Sequence, residues 1–403
     1  MSFGGYGIRW PLQPTAGFDC FFAFADAANI MPPQVIDLGK TEDSRDVVHR
    51  AVQALAEGKL VVLPTETVYG LAASALDARA VDRLLEAKNR PNGQPLTLAV
   101  KSADDALDYV PDLSPLGRRL ARRCWPGPVT MVVEDHHPES LTKQLPIAVQ
   151  RAVAPEHCVG LRVPAHQTVL DVLRMLAGPV VLTSANLSGE PDAVTADEVL
   201  RSLGDRVQLV LNDGHSRLGQ PSTVVKVGDH NLQILRAGVV SEQTLRRLSS
   251  LMILVVCTGN TCRSPMAELL CRKMIADRLG CNISEVGDRG VQVMSAGISA
   301  MIGSRPSPEA VGVMSEMGLN LSAHESQPLN EKLVKHADII WTMTRAHRQA
   351  IVNQWPDAAV RTKVLSPDHA DIADPIGGPV EFYQQSAHQI KAALGERLNE
   401  LKL

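Results

Sequence analysis

The chain has 403 residues, 45% hydrophobic and 21% charged, with a formal net charge of −4. That length gives room for two domains with separate cores, and the mild acidity excludes a surface that coats nucleic acid generally. No apolar run reaches the ~18 residues of a membrane-spanning helix, and seven cysteines, an odd number without a framework, point to a reducing, cytoplasmic setting.

Residues 1–31 hold five of the six phenylalanines. The segment Cys20-Phe21-Phe22-Ala23-Phe24-Ala25 is nevertheless too short, and too poor in basic flanks, for a signal peptide. Residues 1–35 are therefore read as an irregular extension without assigned function. From 36 to 245, helical and strand patterns alternate: 46–57 and 80–88 as helices, 60–63 and 96–100 as strands. Punctuation at Trp125-Pro126-Gly127-Pro128, Val163-Pro164 and Gly178-Pro179 suggests a twisted, mixed sheet of α/β character.

The chemistry-bearing pieces of this half are individually modest. Pro64-Thr65-Glu66-Thr67-Val68-Tyr69-Gly70-Leu71 follows a strand and clusters hydroxyls around one carboxylate, which suits a small polar ligand or an ordinary capped turn. Lys88-x-Arg90 ends a helix, where cations also favour the helix C-terminus. Ser184-x-Asn186-x-Ser188-Gly189 follows an apolar strand, and Arg162 and Arg236 each stand near a strand end. Arg118-Arg119 and Arg122-Arg123 form the densest basic patch. A solvated helix face is expected there, with contact to RNA phosphates as the alternative.

Together and in order, Pro64–Leu71, Lys88-x-Arg90, Pro126-Gly127-Pro128, Gly160-Leu161-Arg162-Val163-Pro164, Ser184-x-Asn186-x-Ser188-Gly189, Ser222-Thr223-Val224-Val225 and Leu235-Arg236-x-Gly238 resemble the threonylcarbamoyl-AMP synthase family, whose fold is named YrdC-like. The resemblance implies a twisted α/β domain with a cation-lined cavity. It implies the joining of L-threonine, bicarbonate and ATP into threonylcarbamoyl-adenylate and pyrophosphate, for a downstream tRNA threonylcarbamoyl transferase machinery. In these terms Lys88 and Arg90 hold the triphosphate, Ser184 and Asn186 position the α-phosphate, and Arg236 closes over the nucleotide. Thr65, Thr67 and Tyr69 face threonine and bicarbonate, and Arg162 is a further pocket cation. Mg2+ is expected to bridge the phosphates of ATP. Lys226 and Ala237 depart from the family pattern, and leave room for an alternative in which this half is a nucleotide- or RNA-binding sensor.

Residues 241–248 are helical in pattern, and 246–251 make a short linker that is not rich in Gly or Ser, so a fixed or weakly hinged junction is expected. From 252 to 403 strands are predicted at 252–256, 291–294, 338–341 and 361–365, and helices at 308–317, 329–335 and 383–401. This alternation predicts a doubly wound parallel sheet.

Residues 252–256 run into Cys257-Thr258-Gly259-Asn260-Thr261-Cys262-Arg263-Ser264, and apolar positions at helical spacing follow from Met266. A loop between strand and helix aims backbone N–H groups and the positive helix end at one point, so it binds phosphate readily. Cys257 stands at its mouth, the same field favours the thiolate, and Arg263 offers a planar pair of donors. A buried structural cysteine is the bland alternative. This stretch resembles the phosphate loop of the low-molecular-weight protein-tyrosine phosphatases. The resemblance makes Cys257 the nucleophile and Asp374, in Ala373-Asp374-Pro375-Ile376-Gly377-Gly378, the general acid and later base. In it Ser264 stabilises the thiolate, Asn260 braces the loop, and no metal or other cofactor is required. Thr261 and the Ile376-Gly377-Gly378 run resemble the protein-arginine phosphatase branch. They favour phosphoarginine in a phosphoprotein substrate, with phosphotyrosine as runner-up. Cys262 either packs or forms a reversible disulfide with Cys257.

Overall fold

Two separate sheets account for the strand patterns. The computed structural model describes residues 32–90 and 93–401; the rest of the expected N-terminal extension, 1–31, lies outside the described residues. The strands are β1 Gln34–Asp37, β2 Val61–Leu63, β3 Gly70–Ser74, β4 Thr97–Ala99, β5 Val129–Glu134, β6 Cys158–Arg162, β7 Val180–Ser184, β8 Leu209–Asn212, β9 Thr223–Val227, β10 Leu232–Arg236, β11 Leu251–Cys257, β12 Val291–Gly297, β13 Ile339–Thr342 and β14 Thr362–Val364. β1 begins at Gln34 and pairs in parallel with β8, so regular structure starts inside the range read as irregular.

The first ten strands form one mixed sheet in the order β1-β8-β2-β3-β7-β4-β6-β5-β9-β10. Both faces are covered, and successive residues alternate between them as the strand period requires: Leu60 and Val62 pack into one core cluster, Val61 and Leu63 into the other. The helix Ser44–Ala56 shows why such segments seal a face. Asp43 caps its first turn, and Val47, Val48, Ala51, Ala54 and Leu55 form a single buried stripe. β3, which begins at the last two residues of the Pro64–Leu71 stretch, pairs antiparallel with both β2 and β7 and places the 64–69 turn against the sheet.

The last four strands form a parallel sheet, β12-β11-β13-β14. Ile253, Val255 and Cys257 face one cluster, and Leu254 and Val256 the other, which makes the sheet doubly wound as expected. The crevice beyond the carboxyl ends of β11 and β13, where the strand order reverses direction, is the ligand site such a topology provides. Cys257 is the last residue of β11. Among the described residues no helix is long and apolar enough to cross a membrane.

At the junction the basic patch departs from expectation. In the helix Pro115–Cys124, Leu116, Leu120, Ala121 and Cys124 face the first core. The arginines opposite them are not a solvated row. Arg119 Nε lies 2.9 Å, Arg122 Nη2 2.6 Å and Arg123 Nη2 2.8 Å from the carboxylate of Asp338, which also accepts Met252 N–H at 2.8 Å. Arg123 donates to Leu248 O and Ser250 O, Arg119 to Ser249 O, and Arg122 to Lys335 O. Three of the four arginines of the basic patch are thus spent on the protein itself. Burial, against the pull of Asp338, brings the Arg123 pKa down to about 10, with Arg119 and Arg122 adding to the lowering.

Breaking one partner of a buried ionic cluster leaves the others uncompensated. Asp338→Asn is expected to destabilise the protein by about 2–3 kcal/mol, below the ~3–5 kcal/mol of a fully buried pair because the carboxylate keeps some solvent contact. Equilibrium urea unfolding checks this, and an unchanged midpoint would mean that the main-chain carbonyls hold the junction alone.

Candidate active sites

A cavity of about 560 Å3 opens over the middle of the ten-stranded sheet. Of the nine residues expected in the first half, Thr65, Tyr69, Arg90, Arg162, Ser184 and Arg236 line it. The three guanidiniums come from different elements: Arg90 from the segment after the helix Ala78–Ala87, Arg162 from the end of β6, and Arg236 from the end of β10. A register shift between Ile234 and Arg236 pairs Arg236 with Val224, the kind of irregularity that re-aims a side chain beside a site. Its Nη2 donates to Ser222 O at 2.9 Å, and Arg90 Nη1 donates to Thr183 Oγ1 at 3.2 Å.

The electrostatics of this cavity are one-sided. Burial, and then the charge of Arg236, lowers the pKa of Arg90. Burial lowers that of Arg236, with Asp192 opposing and Arg162 adding to the shift. Cations that crowd one another in a cavity are arranged for an anion. Arg162 has an internal partner: its Nη2 lies 2.9 Å from Glu66 Oε1 and donates to Thr67 Oγ1 at 2.8 Å. Glu66, whose other oxygen accepts Ala165 N–H, is a buried carboxylate that the motif contained but that was not singled out.

The other three expected residues stand behind the wall and brace it. Thr67 is fully buried, with its hydroxyl 2.9 Å from that of Thr65. Lys88, expected on the triphosphate, is 2% exposed and donates instead to Ser184 O and to Asn186 O and Oδ1. Asn186 turns its amide onto Leu187 O and Glu190 O. Even Tyr69, which lines the cavity, spends its hydroxyl on Gly214 O at 2.7 Å, and burial raises its pKa. These contacts follow from a rule that sequence spacing does not display: a buried polar group turns to whatever partner the fold brings near.

In the second half the expected loop is assembled as a unit. Cys257 Sγ lies 3.0 Å from Ser264 Oγ and accepts Asn260 N–H at 3.2 Å. Asn260 has a left-handed backbone, φ 56°, and its amide donates to Ser264 Oγ and Ser295 Oγ, both at 2.9 Å. The loop passes so close to Gly297 that a Cβ there would stand 2.5 Å from Thr258 O, which explains the glycine in Ser295-Ala296-Gly297. Gly259 and Thr261 complete the turn, with Thr261 O accepting Ser307 N–H. Cys262 Sγ donates to Ser307 Oγ at 3.3 Å, and Cys257 and Cys262 are both free thiols. Arg263 is buried, ion-pairs with Asp374 across 111 residues of sequence, and donates to Ile372 O.

Two histidines went unforeseen. His324 Nε2 lies 2.9 Å from Asn260 O, and His347 Nε2 lies 2.9 Å from Thr258 Oγ1. Burial, and then the charge of Arg263, lowers the pKa of His347. Both lie sixty or more residues from the loop in sequence, so no local spacing could have shown them. Among the described residues no group of His, Cys, Asp and Glu is placed to hold a metal ion.

Comparison with known proteins separates the halves along the same line. Residues 53–238 match the family model described as Telomere recombination, the Sua5, YciO and YrdC family. Residues 252–403 match the model for Low molecular weight phosphotyrosine protein phosphatase. The chain is 33% identical over 208 residues to the threonylcarbamoyl-AMP synthase of Mus musculus, covering 49% of this chain and 69% of that protein. It is 38% identical over 156 residues to the protein-arginine-phosphatase of Bacillus subtilis, covering 37% of this chain and 96% of that protein. The chain belongs to both families. Against the threonylcarbamoyl-AMP synthase of Pyrococcus abyssi it is 35% identical over 184 residues, 46% of this chain, and it spans about half, 52%, of that relative.

Both are families of enzymes, so the protein carries a synthase-family half and a phosphatase-family half. Lys226, one departure from the synthase pattern, is half-buried, lies 3.1 Å from Glu134, and is not part of the cavity lining. Nothing in the structure explains Ala237.

Lys88 gives the synthase half a pH signature. Burial, with Arg90 as the second cause, lowers its pKa from 10.5 to about 8. Between those values the unfolded chain binds more protons at this group than the folded one, so its contribution to stability rises as pH rises through that window. Lys88→Met is expected to flatten the stability–pH curve from about pH 8 to 10.5, as measured by urea unfolding at several pH values.

Proposed function

We propose a two-headed enzyme. Its first half makes L-threonylcarbamoyl-adenylate and pyrophosphate from L-threonine, bicarbonate and Mg-ATP, and its second half hydrolyses phosphoarginine in proteins. What supports the first activity most is the crowding of Arg90, Arg162 and Arg236 around one cavity, an arrangement suited to a triphosphate. Threonine's amine takes up bicarbonate with loss of water, and an oxygen of the resulting carbamate attacks the α-phosphorus. The bond from the α-phosphorus to the α,β-bridging oxygen breaks, and pyrophosphate leaves against the guanidiniums. No covalent nucleophile is needed; positioning and charge do the work. Thr65 and Tyr69 face the threonine end, while Thr67, Lys88 and Asn186 serve by holding the walls. The downstream tRNA machinery receives the adenylate.

In the second half Cys257 Sγ attacks phosphorus, the P–N bond breaks, and Asp374 gives its proton to the departing guanidine. Water then attacks the phosphocysteine with Asp374 as base, which frees inorganic phosphate and the thiolate. Arg263 and the loop amides hold the phosphoryl oxygens. Thr261 is the specificity residue: a hydroxyl there suits the guanidinium, whereas a branched aliphatic favours a phenol ring.

Incubation with ATP, bicarbonate and labelled threonine is expected to release pyrophosphate, and Arg236→Ala to slow that release ~10²-fold or more. Absence of pyrophosphate and adenylate from the wild-type protein would leave the sensor reading instead. For the second half, Asp374→Asn is expected to lower kcat ~10²–10⁴-fold. Thr261→Ile is expected to move the ratio of phosphoarginine to phosphotyrosine turnover toward phosphotyrosine; an unchanged ratio rejects the specificity assignment.

A further inference from the structure

Behind the 64–69 turn lies a second cleft, about 470 Å3, lined on one side by residues of that turn. The N-terminus of the helix Gln167–Met175 opens into it. Its N-cap residue, His166, supplies no side-chain cap, so the first-turn amides and the positive helix end stay available to a ligand. Two further polar atoms of the lining are orphaned. Ser216 is 5% exposed, and its hydroxyl, like His166 Nδ1, is buried without a hydrogen-bond partner among the described residues. Arg217 also lines the cleft and is exposed.

The carboxylates that face the cleft are already matched. Glu66 is held by Arg162 and Ala165 N–H, and Asp213 Oδ2 lies 3.0 Å from His166 Nε2. What remains is a set of helix amides, a hydroxyl, an imidazole nitrogen and a guanidinium around one space. Buried orphans in a native protein call for a missing partner. With Nε2–H donated to Asp213, His166 Nδ1 is an acceptor, and a hydrogen phosphate group offers acceptor oxygens to the amides, hydroxyl and guanidinium and one P–OH to that nitrogen.

We propose that this cleft is a second anion site, separate from the main cavity, that takes a phosphate-type oxyanion such as inorganic phosphate or pyrophosphate. Thr65 and Tyr69 line both spaces, so an anion here presses on the turn that carries them. The site stands whether or not the neighbouring cavity makes an adenylate.

The test uses the full-length Arg236→Ala/Arg263→Ala protein, in which the other two anion sites are disabled, titrated with phosphate and with pyrophosphate by isothermal calorimetry. One equivalent of anion is expected to bind still. Adding Arg217→Ala is expected to weaken binding about ten-fold, the loss of one charge-assisted hydrogen bond, and Ser216→Ala to weaken it several-fold, with the melting temperature unchanged. Preference for either anion supports the site and tells which reaction product it receives. No binding to the double variant, or binding that both added substitutions leave unchanged, overturns the proposal, and neither result depends on the pyrophosphate-release assay.

Discussion

The junction between the two halves is organised around one carboxylate. Asp338 stands just before β13 and gathers three guanidiniums from the helix Pro115–Cys124 together with the amide of Met252, the second residue of β11. Those guanidiniums also hold the carbonyls at 248–250. The start of β11 is therefore pinned at one end by charge, and its other end is Cys257. Burying so much charge is costly unless every partner is present, which makes the junction a fixed element and not a tether.

The two sites solve the anion problem differently. The synthase half leaves guanidiniums crowding one another around an open cavity and keeps its polar scaffold, Thr67, Lys88 and Asn186, in the wall. The phosphatase half keeps its arginine paired internally and relies on a loop whose conformation is over-determined by Asn260, Ser264, Ser295 and Gly297. In both, the groups that set the geometry outnumber those that face the space, as positioning chemistry demands.

Much of this was legible in the chain itself. The doubly wound sheet followed from short apolar runs alternating with helical spacing, and the Cys257–Ser264 loop from a strand running into a helix start. The α/β character of the first half was equally plain. Less legible was anything decided by partners distant in sequence. Arg119, Arg122 and Arg123 look like a solvated face because nothing local announces Asp338. Lys88 reads as a phosphate ligand because its three carbonyl and amide neighbours lie almost a hundred residues away. His324 and His347 carry no local signal, and the Arg236 bulge is a property of pairing, which single-strand periodicity does not encode.

The pairing of Arg263 with Asp374 has its own consequence. The buried cation is neutralised by a carboxylate that is itself 42% exposed. An anion that docks on this guanidinium therefore trades places with a charge the protein already supplies. On the proposed phosphatase mechanism, the carboxyl so exchanged is the one that gives its proton to the leaving group.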